Sequence, residues 1–575
     1  MNLKRQVYNL RIKDVYPSKS QYRPGEKVEI IATFEVTDDL GNYTVSCTVL
    51  NFHDILYKTE KELKLHDEKV VFEFNIEKNE KEMMGFGVEV DLYRNNEKIN
   101  SLSTSFDITE SWKLAPRYGF LSDFFDRDKN DDKDLVQLNK YHINVVQFYD
   151  WMYRHHELLP PTNSFADPLG RNLLIDVVKQ KINYAHKFGM TAIAYGAVYG
   201  CEKEFYDKHK DWALYKNDGT VFDLINLIYI MDISKESGWH DHIISEFLKA
   251  IKFGFDGIHM DQYGFPKEAL NIAGGVKKIR RLRNEFPVLI NDTMEYIEKN
   301  GYKPALIFNA VNNWPIDTVA SAKQDVVYIE VWPPNDTYQD LYNLITNAKK
   351  YAPDKQVILA AYMEPFSKRS NVPVEYAENA TIMTMATIFA SGGFHLLLGE
   401  LNGILTEAYY PNYTMIDNER FVRELRNYYD FIVRYEELLY DFNIVDNTMT
   451  HTGGINGEYV FKGTKFSPKA EKDSVWTLIK EKPGYKIIHF INFTGLESTK
   501  WNEGKEKRSK IINNIEVIAL VVENVKGIYL ASPDIDSGKP KKLDYEYVPH
   551  EHGKAIRFVI PQLRVWDMVY IVCES

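Results

Sequence analysis

Two acidic residues end short apolar runs of the kind that form strands in a parallel sheet. Asp261 lies near the end of the run 257–262, and Glu330 lies in a similar place in the run 327–332. Because side chains alternate along a strand, each acid points away from the apolar face of its own run. Cleavage of a glycosidic bond requires one carboxylate that attacks and one carboxylic acid that protonates the leaving oxygen. A single acid at a strand end is usually structural, but two in the same phase predict such a pair.

The length and the hydrophobic pattern divide the chain into three parts. A chain of 575 residues exceeds what one hydrophobic core normally holds. Residues 1–108 carry short alternating runs such as 28–36, which predict an immunoglobulin-like β-sandwich. Residues 109–445 alternate apolar strands with helical patterns, and residues 446–575 return to short strands. The predicted fold class is therefore multidomain α/β plus all-β, a central (β/α)8 TIM barrel flanked by an N-terminal and a C-terminal β-sandwich.

Eight short apolar runs in the middle part are the predicted barrel strands. They span residues 118–122, 145–151, 192–198, 257–262, 305–310, 327–332, 357–362 and 394–399. Enzymes with this fold keep their functional residues at the carboxyl ends of the strands. Asp261 on the fourth strand and Glu330 on the sixth are therefore expected to face the same mouth.

Polar and aromatic residues at the other strand ends are candidates for binding a sugar. Pyranose rings expose hydroxyl edges and apolar C–H faces, so a sugar site needs both kinds of side chain. Each candidate also fits ordinary packing or strand capping, and Asp150 and Trp151 are the strongest. The predicted substrate-binding residues are Tyr149, Asp150, Trp151, Tyr195, His259, Gln262, Asn309, Asn312, Trp314, Trp332, Tyr362, Glu364 and Glu400.

The composition argues against several classes of partner. A net charge of -12 disfavours a nucleic-acid partner, since phosphate binding needs a concentrated basic face. No apolar stretch reaches the roughly 18 residues of a membrane span, and the first residues lack the apolar core of a signal peptide. The three cysteines lie far apart, so buried thiols are expected rather than a disulfide framework. We expect a monomer with neither nucleic-acid nor membrane partners.

Two segments invite a metal hypothesis. The acidic run 126–134 places oxygens at alternate residues, as a calcium loop does, but Asp131 and Gln137 stand where such a loop needs glycine and glutamate. His155, His156 and Glu157 are adjacent, and adjacent histidines do not converge on one ion. Because two carboxylates suffice for the reaction, we predict neither a catalytic metal nor a cofactor.

The segments 255–262 and 328–332 resemble those of glycoside hydrolase family 66, the dextranases and cycloisomaltooligosaccharide glucanotransferases. The resemblance covers nearly the whole chain in the order sandwich, barrel, sandwich. It implies action on α-1,6-linked glucan (dextran and isomaltooligosaccharides) with retention of configuration. By motif position it implies that Asp261 is the nucleophile and Glu330 the acid/base. Most members of the family are secreted, so both a mature secreted form and a cytoplasmic protein stay open for this chain.

The resemblance leaves alternative activities. Glucanotransferases of the family typically carry a domain-sized carbohydrate-binding module inserted in the barrel region, and the path from Glu330 to the strand 394–399 has no room for one. This favours endo-hydrolysis of dextran over intramolecular transfer to a cyclic product. A non-catalytic glucan-binding protein is a further alternative, against which the presence of both acids argues. Another α-glucan linkage also stays open, because loop residues set that preference.

Overall fold

A computed structural model describes residues 10–35, 42–64, 67–76, 82–453 and 455–574. Val36, the last residue of the first alternating run, and the terminus examined for a signal peptide lie outside the described residues.

The centre of the molecule is an eight-stranded parallel sheet within the described residues 82–453. Each strand pairs with the next one along the chain, from β8 back to β1, so the sheet curls into a nearly closed barrel. The strands are β1 Tyr118–Leu121, β2 Val145–Phe148, β3 Thr191–Ala197, β4 Gly257–Asp261, β5 Ala305–Asn309, β6 Val326–Glu330, β7 Val357–Ala360 and β8 Phe394–His395. All eight begin within one residue of the predicted position, which confirms the barrel.

Eight helices follow the strands in turn. They are α1 Lys133–Lys140, α2 Ile175–Lys187, α3 Gly238–Phe253, α4 Leu282–Lys299, α5 Ile316–Val319, α6 Tyr338–Tyr351, α7 Val374–Ala390 and α8 Glu419–Arg434. Most are amphipathic and bury one face on the strands. Helix α7 is buried on nearly all sides, because it lies between the barrel and the C-terminal sheet.

The N-terminal part is a sandwich of two antiparallel sheets. In its described residues, one sheet holds Arg11–Pro17, Lys27–Glu35 and Lys69–Asn75, and the other holds Asp54–Leu63, Tyr43–Asn51, Met83–Arg94 and Glu97–Thr109. The inward-facing side chains of both sheets form one hydrophobic core. This arrangement agrees with the predicted sandwich on the N-terminal side of the barrel.

The C-terminal part is a second sandwich with its own core. The larger sheet holds Val445–Asp446, Phe466–Ser467, Val475–Lys482, Tyr485–Asn492, Trp566–Cys573, Val525–Ala531 and Lys541–Leu543, and the smaller holds Tyr459–Lys462, Ile512–Leu520, Gly553–Leu563 and Tyr545–His550. The multidomain fold class predicted from the sequence is thus the one observed. The cysteines Cys47, Cys201 and Cys573 are free and buried, as predicted.

Short elements lie between the main strands and helices. The strands are Ser164–Ala166, Asn172–Leu174, Gly200–Cys201, Asp223–Leu224, Ile228–Ile230, Glu268–Asn271, Lys278–Arg281, Leu398–Gly399, Gly403–Ile404 and Thr414–Met415, and the short α-helices are Lys203–Tyr206 and Glu436–Leu439. Single 3-10 turns span Trp112–Leu114, Asp126–Asp128, Lys210–Trp212, Ala273–Gly275, Val311–Asn313, Glu364–Phe366, Tyr410–Asn412 and Asp536–Gly538. None of the helices in the described ranges combines the length and apolar character needed to cross a bilayer.

One carboxylate joins the three parts of the molecule. Glu89, on the N-terminal sandwich, accepts a hydrogen bond from Arg434 of α8 at 2.8 Å and forms an ion pair with Lys539 of the C-terminal sandwich at 2.7 Å. The Ser103 hydroxyl also donates to this carboxylate. Gly87 lies against the Arg434 guanidinium, where a Cβ atom would collide with it. The relative position of the three parts therefore depends on a buried polar contact as well as on apolar packing.

Candidate active site

A cleft of about 710 Å³ opens at the carboxyl ends of the barrel strands, and both predicted acids line it. Asp261 is the last residue of β4 and Glu330 the last residue of β6. Between them, β5 ends at Asn309. The parallel register of the barrel thus brings three consecutive strand ends together at the floor of the cleft, as the sequence predicted for the two acids.

The side chain of Asn309 bridges the two acids. Its amide nitrogen donates to Asp261 Oδ1 at 2.8 Å and to Glu330 Oε2 at 3.0 Å. Its carbonyl oxygen accepts a hydrogen bond from the backbone N–H of Glu330 at 3.3 Å. Two oxygens that share one donor nitrogen cannot lie further apart than these two donor distances together, so the carboxylates are close neighbours.

The second carboxylate oxygen of each acid accepts a hydrogen bond from its own tyrosine. Tyr195 donates its hydroxyl proton to Asp261 Oδ2 at 2.9 Å, and Tyr362 donates to Glu330 Oε1 at 2.6 Å. All four carboxylate oxygens therefore accept a hydrogen bond in a fixed direction. Such constraints hold both side chains in one rotamer, which a reaction between fixed groups needs.

Burial sets the electrostatics of the pair. Removal from water raises the pKa of Asp261, and the negative charge of Glu330 raises it further, to about 7. Burial likewise raises the pKa of Glu330, against hydrogen bonds from Tyr362 and Asn309 that lower it. Two close carboxyls of this kind retain one proton between them near neutral pH. The pair can therefore offer an acid and a carboxylate at the same time.

Most of the predicted substrate-binding side chains lie in this cleft. They are Tyr149, Asp150, Tyr195, His259, Asn309, Asn312, Trp314, Trp332 and Tyr362. His259 accepts or donates a hydrogen bond at Nδ1 with the Tyr118 hydroxyl at 3.0 Å, and burial lowers its pKa to about 3. It is a neutral imidazole at the floor of the cleft.

Trp151 and Gln262, which were predicted to bind substrate, do not line the cleft. Trp151 is fully buried and donates its indole N–H to the carbonyl oxygen of Tyr195 at 3.1 Å. Gln262 is also buried, and its amide bonds to the carbonyl of Asn309 at 3.0 Å and to the N–H of Gly264 at 2.7 Å. Both side chains turn under the loops and brace the strand ends that carry the site.

Glu364 and Glu400, also predicted to bind substrate, do not line the cleft either. Glu364 begins a 3-10 turn after β7 and points to solvent outside the cleft. Glu400 is buried beneath the loop after β1, where it accepts hydrogen bonds from the backbone N–H groups of Ser122 and Asp123. Burial raises its pKa to about 8, with a further contribution from the charge of Asp123. Its role here is to tie the β1 and β8 ends of the barrel together.

The structure adds cleft residues that the sequence alone did not single out. Tyr410, in the loop after β8, stacks on Tyr149 with ring centroids 4.1 Å apart and bonds to the Tyr328 hydroxyl at 3.1 Å. Tyr409 also lines the cleft, as does His155, which the sequence brought up only as a possible metal ligand. The adjacent tyrosines were visible in the sequence, but nothing local shows that this long loop folds back over the mouth.

The segments considered for metals have other partners. In the described part of the chain, no group of three or more His, Cys, Asp or Glu side chains is arranged to hold a metal ion. The acidic run pairs with lysines instead: Asp134 lies 2.7 Å from Lys181, and Asp132 lies 3.1 Å from Lys187. His155 and His156 both bond through Nδ1 to Glu202, at 2.7 and 2.6 Å.

Comparison with known proteins places this site in a family. The profile of glycosyl hydrolase family 66 matches residues 17–570, nearly the whole chain. The chain belongs to glycosyl hydrolase family 66. This confirms the resemblance read from the segments around Asp261 and Glu330. Membership in family 66 makes the protein a glycosidase-type enzyme.

Relatives of this chain carry two different names. A cycloisomaltooligosaccharide glucanotransferase of Niallia circulans is 22% identical over 711 aligned positions, which cover 97% of this chain and 72% of the relative. A dextranase of Streptococcus salivarius is 25% identical over 552 positions, which cover 82% of this chain and 65% of the relative. The crystal structure of a Paenibacillus cycloisomaltooligosaccharide glucanotransferase matches with a TM-score of 0.87 at 22% identity, over 97% of this chain and 99% of that one. The last match supports the fold.

Proposed function

We propose that this protein is a retaining endo-dextranase that hydrolyses α-1,6-glucosidic linkages to isomaltooligosaccharides. The observation that carries the proposal is the bridge formed by Asn309. Because its amide lies 2.8 Å from Asp261 and 3.0 Å from Glu330, the bridged oxygens are closer than the roughly 6.5–9.5 Å separation of inverting enzymes. Retaining enzymes place their carboxyl groups about 5–5.5 Å apart, which this bridge permits.

The proposed reaction is a double displacement. Asp261 attacks the anomeric carbon while Glu330 gives its proton to the departing glycosidic oxygen, which leaves a glucosyl ester on Asp261. Glu330, now ionised, takes a proton from water as the water oxygen attacks the same carbon and the ester bond breaks. Tyr195 and Asn309 stabilise the returning Asp261 carboxylate by hydrogen bonds.

Hydrolysis is favoured over cyclisation because the described segment from β6 to β8 carries no inserted domain. The alignment with the Niallia circulans glucanotransferase has 711 positions and this chain has 575 residues, so that relative carries residues that this chain lacks. From β6 to β8 the described chain holds helices α6 and α7 with short loops, and no additional domain lies between them. The proposal assigns catalysis to residues 109–445 and a bracing role to residues 1–108 and 446–575.

The test is a time course on dextran that follows viscosity, reducing ends and product identity together. An endo-dextranase lowers the viscosity early, while reducing ends rise and linear isomaltooligosaccharides accumulate. Cyclic products with few new reducing ends would overturn the proposal in favour of the glucanotransferase. Activity on α-1,4-glucans with dextran left intact would overturn the proposed linkage.

A further inference from the structure

A second polar cluster lies at the edge of the cleft, in the loop after β2. His155 lines the cleft and is held from behind by Glu202, whose carboxylate accepts hydrogen bonds from the His155 backbone N–H at 3.1 Å and from its Nδ1 at 2.7 Å. Because Nδ1 faces Glu202, Nε2 on the opposite side of the ring faces the cleft. Among the described residues, no group forms a hydrogen bond with this Nε2. The ring is therefore fixed, and a ring nitrogen without a described partner is aimed at the cleft.

Asp150 lies in the same cleft in a strained backbone conformation. Its φ of 46° is in the left-handed region, which non-glycine residues adopt at a cost and often at functional sites. Arg171 holds the strained turn by donating to the carbonyl oxygens of Asp150 at 3.0 Å and of Ser122 at 2.8 Å. No described group donates a hydrogen bond to the Asp150 carboxylate. The turn thus presents a carboxylate whose acceptor positions are unused.

The charges of the cluster suit a hydroxylated ligand. Burial by itself lowers the pKa of His155, but the hydrogen bond and charge of Glu202, with the charges of Asp150 and Asp261, raise it overall. Burial raises the pKa of Asp150 to about 6, against the opposing charges of His155 and Arg171. The raised pKa of His155 favours the protonated ring, in which Nε2 is a donor, and the Asp150 carboxyl is ionised above a pH of about 6. Hydrogen bonds to charged groups are the stronger kind.

We propose that Asp150 and His155 together bind two neighbouring hydroxyl groups of a glucosyl unit, with Glu202 as the residue that positions His155. Asp150 accepts from one hydroxyl, and His155 donates through Nε2 to the oxygen of the next. Tyr149 joins this site to the reaction centre, since its ring centroid lies 5.1 Å from that of Tyr195, which holds Asp261. This inference rests on the proposed function, because it takes the bound sugar to be part of the glucan substrate.

The test compares the same substitution at two neighbouring histidines. Asparagine places its amide where Nδ1 of histidine lies, so His155→Asn keeps the donor to Glu202 and removes only the donor that faces the cleft. We expect KM for dextran to rise roughly 10- to 100-fold, with kcat within about twofold of wild type. His156→Asn is the matched control, because His156 bonds to the same carboxylate but packs against Phe205 outside the cleft. Its KM should stay within about twofold of wild type.

The positioning role of Glu202 is tested by a double-variant cycle. Glu202→Gln should raise KM as His155→Asn does, and the two changes together should raise it no further, since they remove the same contact. Additive effects, or equal KM changes in His155→Asn and His156→Asn, would show a structural role only and overturn the inference. An unchanged KM in His155→Asn would also overturn it.

Calorimetric titration separates this inference from the proposed function. Isomaltotriose is titrated into Asp261→Asn, which binds without turnover, and into the same protein with His155→Asn or His156→Asn added. Weaker binding with His155→Asn alone supports the inference, and equal binding in all three overturns it. If wild-type protein fails to cleave dextran, the proposed function falls, while the titration still decides whether His155 holds the sugar.

Discussion

At the scale of single residues, the site depends on the amide of Asn309, which donates hydrogen bonds to both Asp261 and Glu330. Asn309 donates to both carboxylates and to no other group, so its position fixes their separation. A neutral donor lowers the pKa of each acid without supplying a counter-charge, which leaves the repulsion between the acids in place. The pair therefore keeps a shared proton instead of ionising fully, and this is the state from which a nucleophile and an acid can act together.

Neutralising Asp261 and neutralising Glu330 should impair catalysis in different ways. Asp261→Asn should lower kcat on dextran by at least about 10³-fold while the thermal transition changes little, because the nucleophile is lost and its hydrogen bonds remain possible. Glu330→Gln should lower activity on dextran by about 10²- to 10⁴-fold, the usual contribution of a general acid. An aryl isomaltoside with an activated leaving group needs no proton, so its first step should recover in Glu330→Gln alone.

Steady-state and burst kinetics on dextran and on the aryl isomaltoside check the predictions for Asp261→Asn and Glu330→Gln. Glu364→Gln is the matched control, since Glu364 is exposed outside the cleft and its variant should keep full activity. Equal losses on dextran and on the aryl isomaltoside in Glu330→Gln would remove Glu330 from the role of acid.

The pH profile should follow the shared proton. With the pKa of Asp261 raised to about 7, kcat/KM for dextran should fall as the pH rises through about 7, because both acids are then ionised and no proton donor is left. In Glu330→Gln the like charge is gone, so the pKa of Asp261 should fall. On the activated aryl isomaltoside this variant should then gain activity with rising pH, with a midpoint below 7. A midpoint unchanged by Glu330→Gln would mean that the two acids do not interact.

At the scale of elements, the loop after β2 is held by one arginine. Arg171 bonds to Asp167 at 2.7 Å and to backbone carbonyls of the β1 and β2 loops, and its guanidinium lies over the Tyr409 ring at 6.0 Å. A planar group with several fixed donors can make these contacts at once, whereas lysine cannot. This single side chain therefore joins the loops after β1, β2 and β8 at the mouth of the barrel.

Arg171→Lys should loosen the Asp150 turn. We expect KM for dextran to rise roughly 10-fold, with a smaller change in kcat, because the acids on β4 and β6 are not touched. Arg154→Lys is the matched control: Arg154 also bonds to carbonyls of this loop, at Tyr153 and Ala166, but not to Asp150. A similar rise of KM in both variants would show general loop disorder instead of a specific effect on Asp150.

The elements themselves were largely predictable from the sequence, and the loops were not. Parallel strands buried on both sides read as continuous apolar runs, which is why all eight strand starts were found. The direction of a side chain beyond a strand end was harder. Trp151 and Gln262 stand directly after strand-end acids, yet both turn inward because the left-handed turn at Asp150 and the turn before Gly264 redirect the chain. His155 and Tyr410 lie in long loops, whose tertiary position leaves no periodic signal.

At the scale of the whole molecule, the three parts meet at Glu89. Arg434 is almost fully buried, and two of its side-chain nitrogens have no hydrogen-bond partner, so Glu89 is its counter-charge. Removing one partner of a buried pair leaves an uncompensated charge, which costs more than the pair itself contributes.

Glu89→Ala should therefore be strongly destabilising. We expect a loss of about 3–5 kcal/mol in the first unfolding transition, measured by urea denaturation, with unchanged kcat on dextran at low temperature. Glu35→Gln is the control, since the pair of Glu35 with Arg11 lies on the surface of the same sandwich, with side chains 43% and 67% exposed, and should leave the transition unchanged. Equal stability of the two variants would mean that the joint is held by apolar packing alone.

The joint at Glu89 also limits how this enzyme can be recombined with its relatives. A hybrid that takes the N-terminal sandwich of this chain and the barrel of a relative would combine Glu89 and Gly87 with the relative's residue in place of Arg434. Unless Glu89, Gly87, Arg434 and Lys539 all come from the same parent, the hybrid would bury an unpaired charge or place a Cβ atom against the guanidinium. The three parts of this fold should therefore be exchanged together.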